Sequence, residues 1–116
     1  MLYLIENHKS RFGALKSFLD EFEKACIKKN ITTKRVDITT KTDSDIDKME
    51  PPDATFGFNI ILDNTLFRAP HITCITDCAT YYQELFDMPE TYVGCIDQDS
   101  CRLLEQCGHK KGFFFP

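Results

Sequence analysis

The side chains of this sequence that could do chemistry fall into two sets: polar groups that follow short apolar runs, and six cysteines. His8 comes just after the run Leu2-Tyr-Leu-Ile-Glu6. An unperturbed imidazole titrates near neutrality, so His8 reads either as a general base or hydrogen-bond donor to a sugar or phosphate, or as an exposed loop histidine without a role. Asp77 closes the run His71-Ile-Thr-Cys-Ile-Thr-Asp77 and reads as a base, as a group that orients one, or as the cap of a helix behind it. Asn7 and Asn59 stand after two other apolar runs and are the substrate-binding candidates beside the catalytic candidates His8 and Asp77; Asn59 alternatively satisfies loop backbone groups. At Asp97 the capping reading dominates, because a helical pattern starts directly after it.

The cysteines carry less. Structural zinc sites need short paired spacings at two knuckles, whereas Cys74 and Cys78, and then Cys95, Cys101 and Cys107, fall within strands and helical segments, so no metal centre is expected. Cys74 and Cys95 on strands and Cys107 on an inner helix face read as small hydrophobes. Cys78 is the one thiol to test for reactivity, although the adjacent Asp77 carboxylate should raise its pKa and weaken it as a nucleophile.

Composition narrows the functional classes. The chain has 116 residues with 14 Lys+Arg against 18 Asp+Glu, a formal charge of −4, and its lysines are scattered. Nucleic-acid binding needs positive charge gathered on one face, so no nucleic-acid partner is expected. No stretch approaches the roughly 20 apolar residues of a membrane helix, and the N-terminus turns charged too early for a signal peptide. The expected location is the cytoplasm, with reduced thiols. Neither Gly-x-Gly-x-x-Gly after the first apolar run nor a Gly-x-x-x-x-Gly-Lys-Ser/Thr loop occurs, so no nucleotide cofactor is expected. A receiver domain would need an acidic cluster where Asn7 and His8 stand.

The elements that must position these residues follow from periodicity. Residues 2–6 read as a buried strand, and Phe12, Leu15, Leu19, Phe22 and Cys26 recur at helical spacing, predicting a helix over 11–29 with Ser10 as N-cap and Asn30 at the left-handed terminator. Residues 32–39 form a second strand, with Val36 and Ile38 on one face. Residues 40–53 are a charged surface connection with one helical turn near 44–49, closed by Pro51-Pro52. Strands follow at 54–62, 71–77, 91–97 and 112–116, with Leu66 and Phe67 anchoring the loop at 63–70. Helices are predicted at 79–87 and at 98–107, the latter capped by Asp97 or Asp99, with Leu103, Leu104 and Cys107 inward and Gly108 as terminator. The alternation, with apolar runs such as 2–5 and 113–115, predicts one α/β domain over 1–116: a three-layer Rossmann-like or flavodoxin-like sandwich with a mainly parallel sheet of five to six strands, covered by helices on both sides. In such a sheet ligands bind beyond the carboxyl ends of the strands, which is where Asn7, His8, Asn59 and Asp77 fall.

Three stretches carry a resemblance: Pro52-Asp-Ala-Thr-Phe-Gly-Phe-Asn59; Ala69-Pro-His-Ile-Thr-Cys-Ile-Thr-Asp-Cys-Ala-Thr-Tyr-Tyr82; and Tyr92-Val-Gly-Cys-Ile-Asp-Gln-Asp-Ser100 with Gly108-His-Lys-Lys-Gly-Phe-Phe-Phe-Pro116. From residue 52 onward the chain resembles the N-terminal Rossmann-like half of a GT-B type glycosyltransferase-like protein. The resemblance implies a domain that presents a sugar acceptor, and often a base, across a cleft, with the nucleotide sugar held by a C-terminal domain that this chain lacks. The family's His-Pro pair after the strand-ending Asp is replaced by Cys78-Ala79, which removes the usual neighbours of Asp77. The expectation is an acceptor-side domain that is not catalytically competent alone. The alternative is a stand-alone flavodoxin-like interaction or regulatory module that meets a protein partner through residues 113–115.

Overall fold

Apolar runs rich in aromatic and β-branched residues pair edge to edge into one sheet. In the computed structural model, which describes residues 1–8, 13–109 and 111–114, the strands are β1 (Leu2–Ile5), β2 (Thr33–Val36), β3 (Ala54–Phe58), β4 (His71–Ile75), β5 (Tyr92–Cys95) and β6 (Gly112–Phe114). Their order is β2-β1-β3-β4-β5-β6, and every neighbouring pair is parallel. The helices are α1 (Ala14–Lys28), α2 (Asp43–Asp47) and α3 (Gln98–Gln106). The result is a Rossmann-like, flavodoxin-like α/β sandwich, as the alternation predicts.

Side chains alternate across the sheet. Leu4, Phe56 and Cys74 face α1 and pack with Leu19 and Phe22, where the Phe22 and Phe56 rings stack at 3.8 Å. On the opposite face Tyr3, Ile5 and Val36 meet Ile46 of α2 and the loop residues Leu62 and Phe67, while Ile75, Val93 and Cys95 meet Leu85 and Leu104 of α3. Between these two clusters runs a buried polar row, Thr55, His71 and Thr73.

Helices cover both faces, as expected, but not equally. Right-handed crossovers explain this. The steps β2→β3→β4→β5→β6 all advance in one direction across the sheet and place their connections on one face. Only β1→β2 runs the other way, so α1 alone covers the opposite face. Phe113 on the edge strand β6 lies on the face that α1 alone covers and is accordingly 40% exposed; Phe114, on the opposite face of that edge strand, is 46% exposed.

Local chemistry sets the ends of the elements. α1 and α3 both terminate in Schellman motifs: Ile31 N–H donates to Cys26 O (2.9 Å) and Asn30 N–H to Ile27 O (3.1 Å), while His109 N–H donates to Leu104 O (2.9 Å) and Gly108 N–H to Glu105 O (3.0 Å). Asn30 (φ 59°) and Gly108 (φ 91°) occupy the left-handed positions, as predicted. Because α3 stops at Gln106, Cys107 leaves the inward stripe and is exposed, and Leu103 is half-buried; only Leu104 of the three expected inward residues is fully covered. The expected cap Ser10, with Arg11, Phe12 and Phe115, lies outside the described residues, and Gly13 (φ 68°) precedes α1 without a side-chain cap bond. Thr42 and Asp45 form a reciprocal capping box on α2.

Several strands are shorter than predicted. β2 ends at Val36 because Asp37 turns the chain into a 3-10 turn, Ile38–Thr40, and accepts the Thr39 N–H (3.0 Å). β3 ends at Phe58 because Asn59 is left-handed (φ 53°). The helix expected at 79–87 is two 3-10 turns, Ala79–Tyr81 and Gln83–Asp87, interrupted at Tyr82 (φ −125°, ψ 60°). Its opening residues Thr80, Tyr81 and Tyr82 are β-branched or aromatic and give little intrinsic support to an α-helix.

One glycine is required by close approach. A Cβ on Gly57 would sit 2.1 Å from Cγ2 of Ile60, which folds back over β3. Gly57→Ala should therefore destabilise the domain by about 1–3 kcal/mol through overpacking. A urea melt checks this, and the added substitution Ile60→Ala should return part of the loss.

Candidate functional site

The order β2-β1-β3 reverses the direction of chain travel at β1/β3, and the connections leaving these two strands pass on opposite faces. A crevice opens at such a switch point, beyond the carboxyl ends of the strands. Here it is a cleft of about 780 Å³.

Its floor is an amide lattice. Asn7 follows β1 and donates through Nδ2 to Phe58 O (3.0 Å) and Asn59 O (3.2 Å). Asn59 accepts the Thr76 N–H at Oδ1 (2.7 Å) and donates from Nδ2 to Thr76 Oγ1 (2.6 Å). These bonds clamp together the carboxyl ends of β1, β3 and β4. One wall is apolar, with Leu15 and Phe18 of α1 and the loop residues Ile60 and Ile61; the other carries Asp77, Tyr81, Tyr82 and Glu84. Tyr81 projects at the rim, 79% exposed.

Beside Glu84, the cleft offers the carboxylate of Asp77. The Tyr82 hydroxyl donates to its Oδ2 (3.0 Å). Burial, reinforced by the Asp77 carboxylate, pushes the Tyr82 phenol above its ordinary value, so it remains a donor at neutral pH and orients Asp77. The alternative role of Asp77 as a helix cap is not taken up: Cys78 occupies that position, and the Ala79 N–H donates instead to Ser100 Oγ (3.0 Å). Asp97 does cap α3, accepting the Ser100 N–H at 2.6 Å.

The structure brings Asn7, Asn59 and Asp77 together but not His8. The imidazole lies off the cleft, with Nε2 2.8 Å from Asp37 Oδ2 and 3.9 Å from Glu6 Oε2. A joint role of His8 and Asp77 on one ligand atom has no geometric basis here. Thr76, Tyr81, Tyr82 and Glu84 are not legible as site residues in the sequence: Thr76 lies within the run that predicts a strand over 71–77, and the helix predicted over 79–87 does not place the other three on the cleft. The aromatic pair Tyr81-Tyr82 directly behind a strand-ending Asp was the available signal.

All six cysteines are free, and Cys26, Cys74 and Cys95 are buried. Burial pushes the Cys74 and Cys95 thiols up to about 12, as befits small hydrophobes. Cys78 differs from expectation: a hydrogen bond from the Thr80 hydroxyl (3.3 Å) lowers its pKa, where the adjacent Asp77 carboxylate alone would raise it.

Fold and cleft define a parallel α/β domain of flavodoxin-like strand order with a ligand crevice at its switch point. Compared with protein-family models, curated proteins and solved structures, the chain matches none. Among the described residues no helix is long and apolar enough to cross a membrane.

Proposed function

We propose that this chain is the acceptor-side domain of a GT-B type glycosyltransferase-like protein, holding a sugar acceptor in the switch-point cleft and not transferring sugar by itself. The observation that carries this reading is the lining of the cleft. It combines two carboxylates (Asp77, Glu84), two phenols (Tyr81, Tyr82) and two amides with an apolar wall, and it includes no Lys or Arg among the described residues. The start of α1 borders the cleft at Ala14 and Leu15, but among the described residues no cationic side chain stands there to neutralise a phosphate. A neutral polyol instead needs acceptors and donors for its hydroxyls and an aromatic surface for its ring, which this lining supplies. In this role Asp77 accepts the proton of an acceptor hydroxyl, with Tyr82 as positioning residue.

The test is an NMR titration of the chain with simple acceptor sugars and, separately, nucleotide sugars. Shifts at Asn7, Asn59 and Asp77 with a sugar but not with a nucleotide sugar are expected. Tyr81→Ala, at an exposed position, should weaken that binding about tenfold, the loss of one aromatic contact worth roughly 1.4 kcal/mol. A nucleotide sugar that binds here while simple sugars do not would overturn the reading. The exposed Phe113 and Phe114 on β6 favour a second reading, a protein-interaction module, which a silent cleft together with partner-induced shifts at β6 would support.

A further inference from the structure

On the far side of β1 from the main cleft, three ligand-type side chains converge. Glu6 and His8 follow β1, and Asp37 follows the paired strand β2. One ligand atom from each lies within 4.8 Å of the others. His8 Nε2 is 2.8 Å from Asp37 Oδ2 and 3.9 Å from Glu6 Oε2. Metal–ligand distances of roughly 2.0–2.2 Å require ligand atoms about 3.3 Å apart in a tetrahedral site. The observed separations bracket that value.

We propose that Glu6, His8 and Asp37 form a binding site for a divalent transition-metal ion of the Zn²⁺ or Co²⁺ type, with water completing the coordination. The second oxygen of each carboxylate is already engaged. Asp37 Oδ1 accepts from the Thr39 N–H (3.0 Å) and the Thr39 hydroxyl (2.6 Å), and Glu6 Oε1 faces Arg35 Nε at 3.3 Å. Outer partners of this kind orient ligating oxygens, here turning Oδ2 and Oε2 toward His8. A small cavity of about 40 Å³ adjoins two of the three side chains, Glu6 and His8.

Lys16 and Arg35 also border this cavity, but they do not make it an anion site. Lys16 pairs with Asp20 (3.0 Å), and Arg35 lies against Glu6, Asp20 (2.8 Å) and Glu23 (3.6 Å). Among the described residues, the four carboxylates Glu6, Asp20, Glu23 and Asp37 thus face two fixed cations, and that surplus favours a cation. The mixed imidazole and carboxylate set suits a borderline metal better than Mg²⁺ or Ca²⁺. On binding, the ion takes the Nε2 lone pair, and the ring proton resides on Nδ1.

The test is a Co²⁺ titration of the full chain, followed by visible absorption and by the His8 imidazole NMR signals. Expected are one bound equivalent, broadening of the His8 ring signals and no thiolate-to-cobalt charge-transfer band. His8→Ala and Asp37→Asn should each weaken binding at least about tenfold, since even an outer-shell change costs that much at metal sites. His8 has a 57% exposed side chain, so its replacement leaves the core intact. No binding at millimolar cobalt, unchanged binding in His8→Ala, or a thiolate band showing that cysteines hold the ion would each overturn the proposal. The sugar titration reads a different site, so either result stands without the other.

Discussion

Replacing His71 with alanine should lower the unfolding free energy by about 3–5 kcal/mol, a large share of what a domain of this size possesses. His71 opens β4, is fully buried, and links three segments. Its Nε2 lies 2.8 Å from Ile60 O, which can only accept, so Nε2 carries the proton and the ring is neutral. Nδ1 then accepts the Thr55 hydroxyl at 2.7 Å, and the His71 N–H donates to Asn64 Oδ1 at 3.0 Å. Alanine leaves a cavity and two buried polar groups without partners. Thermal melts should show the midpoint lowered by at least about 10 °C. A loss under about 1 kcal/mol would mean that these hydrogen bonds do not hold the 59–70 loop.

The same residue sets a pH dependence. Burial holds the His71 pKa below its ordinary 6.5, so the unfolded chain binds a proton that the folded chain refuses. The contribution is complete above about pH 6.5 and is lost as the pH falls from there toward the folded pKa, by up to about 1.4 kcal/mol per pH unit. His109, also lowered chiefly by burial, acts in the same direction. Asp20 and Asp37, whose pKa values lie below 3.8, remain ionised over this range and do not obscure it. Urea melts from pH 7.5 to 5 should show the decline, and His71→Gln, which cannot titrate, should reduce its slope to the share left by His109. An equal slope in that variant would assign the effect elsewhere.

Asn59→Ala should cost about 2–4 kcal/mol and close the cleft to ligand. Two effects add. The side chain loses its paired bonds to Thr76, at 2.7 and 2.6 Å, each worth about 1 kcal/mol. A Cβ residue other than Asn or Asp must also adopt φ 53°, at a cost of about 1–2 kcal/mol. Substitutions separate these effects. Asn59→Gly removes the bonds without strain, and Asn59→Asp keeps an acceptor for the Thr76 N–H, so both should be more stable than Asn59→Ala. If glycine proves no better than alanine, the left-handed backbone is not a source of cost. The clamp also sets the spacing of the floor, so Asn59→Ala should abolish the sugar-induced shifts at Asn7 and Asp77 where Asn59→Asp retains them.

Much of this architecture was legible because its causes are local. Short runs of apolar and β-branched residues marked all six strands, and period-3.6 spacing marked α1 and α3. Asn30 and Gly108 announced their left-handed terminators, and Asp97 its cap. Errors arose where local signals conflicted with packing: the run through Asn59 looks like one strand until the backbone turns left-handed, and residues 79–87 have the polarity of a helix but not the residue types for one. The candidate set at the cleft was partly legible as well, because Asn7, Asn59 and Asp77 follow strands whose carboxyl ends must meet at one rim.

By itself, then, the sequence determined the kinds of element, their order and the rim at which polar side chains collect, since backbone propensity, side-chain periodicity and capping act within a few residues. Tertiary structure alone decided which rim residues share a site. His8 turned to Asp37, 29 residues distant, rather than to Asp77, because β2 pairs with β1 on the side away from β3 and β4. The exposure of Phe113 on β6 has the same origin: the handedness of each crossover, which no local run of residues encodes, places four successive connections on one face and a single helix on the other.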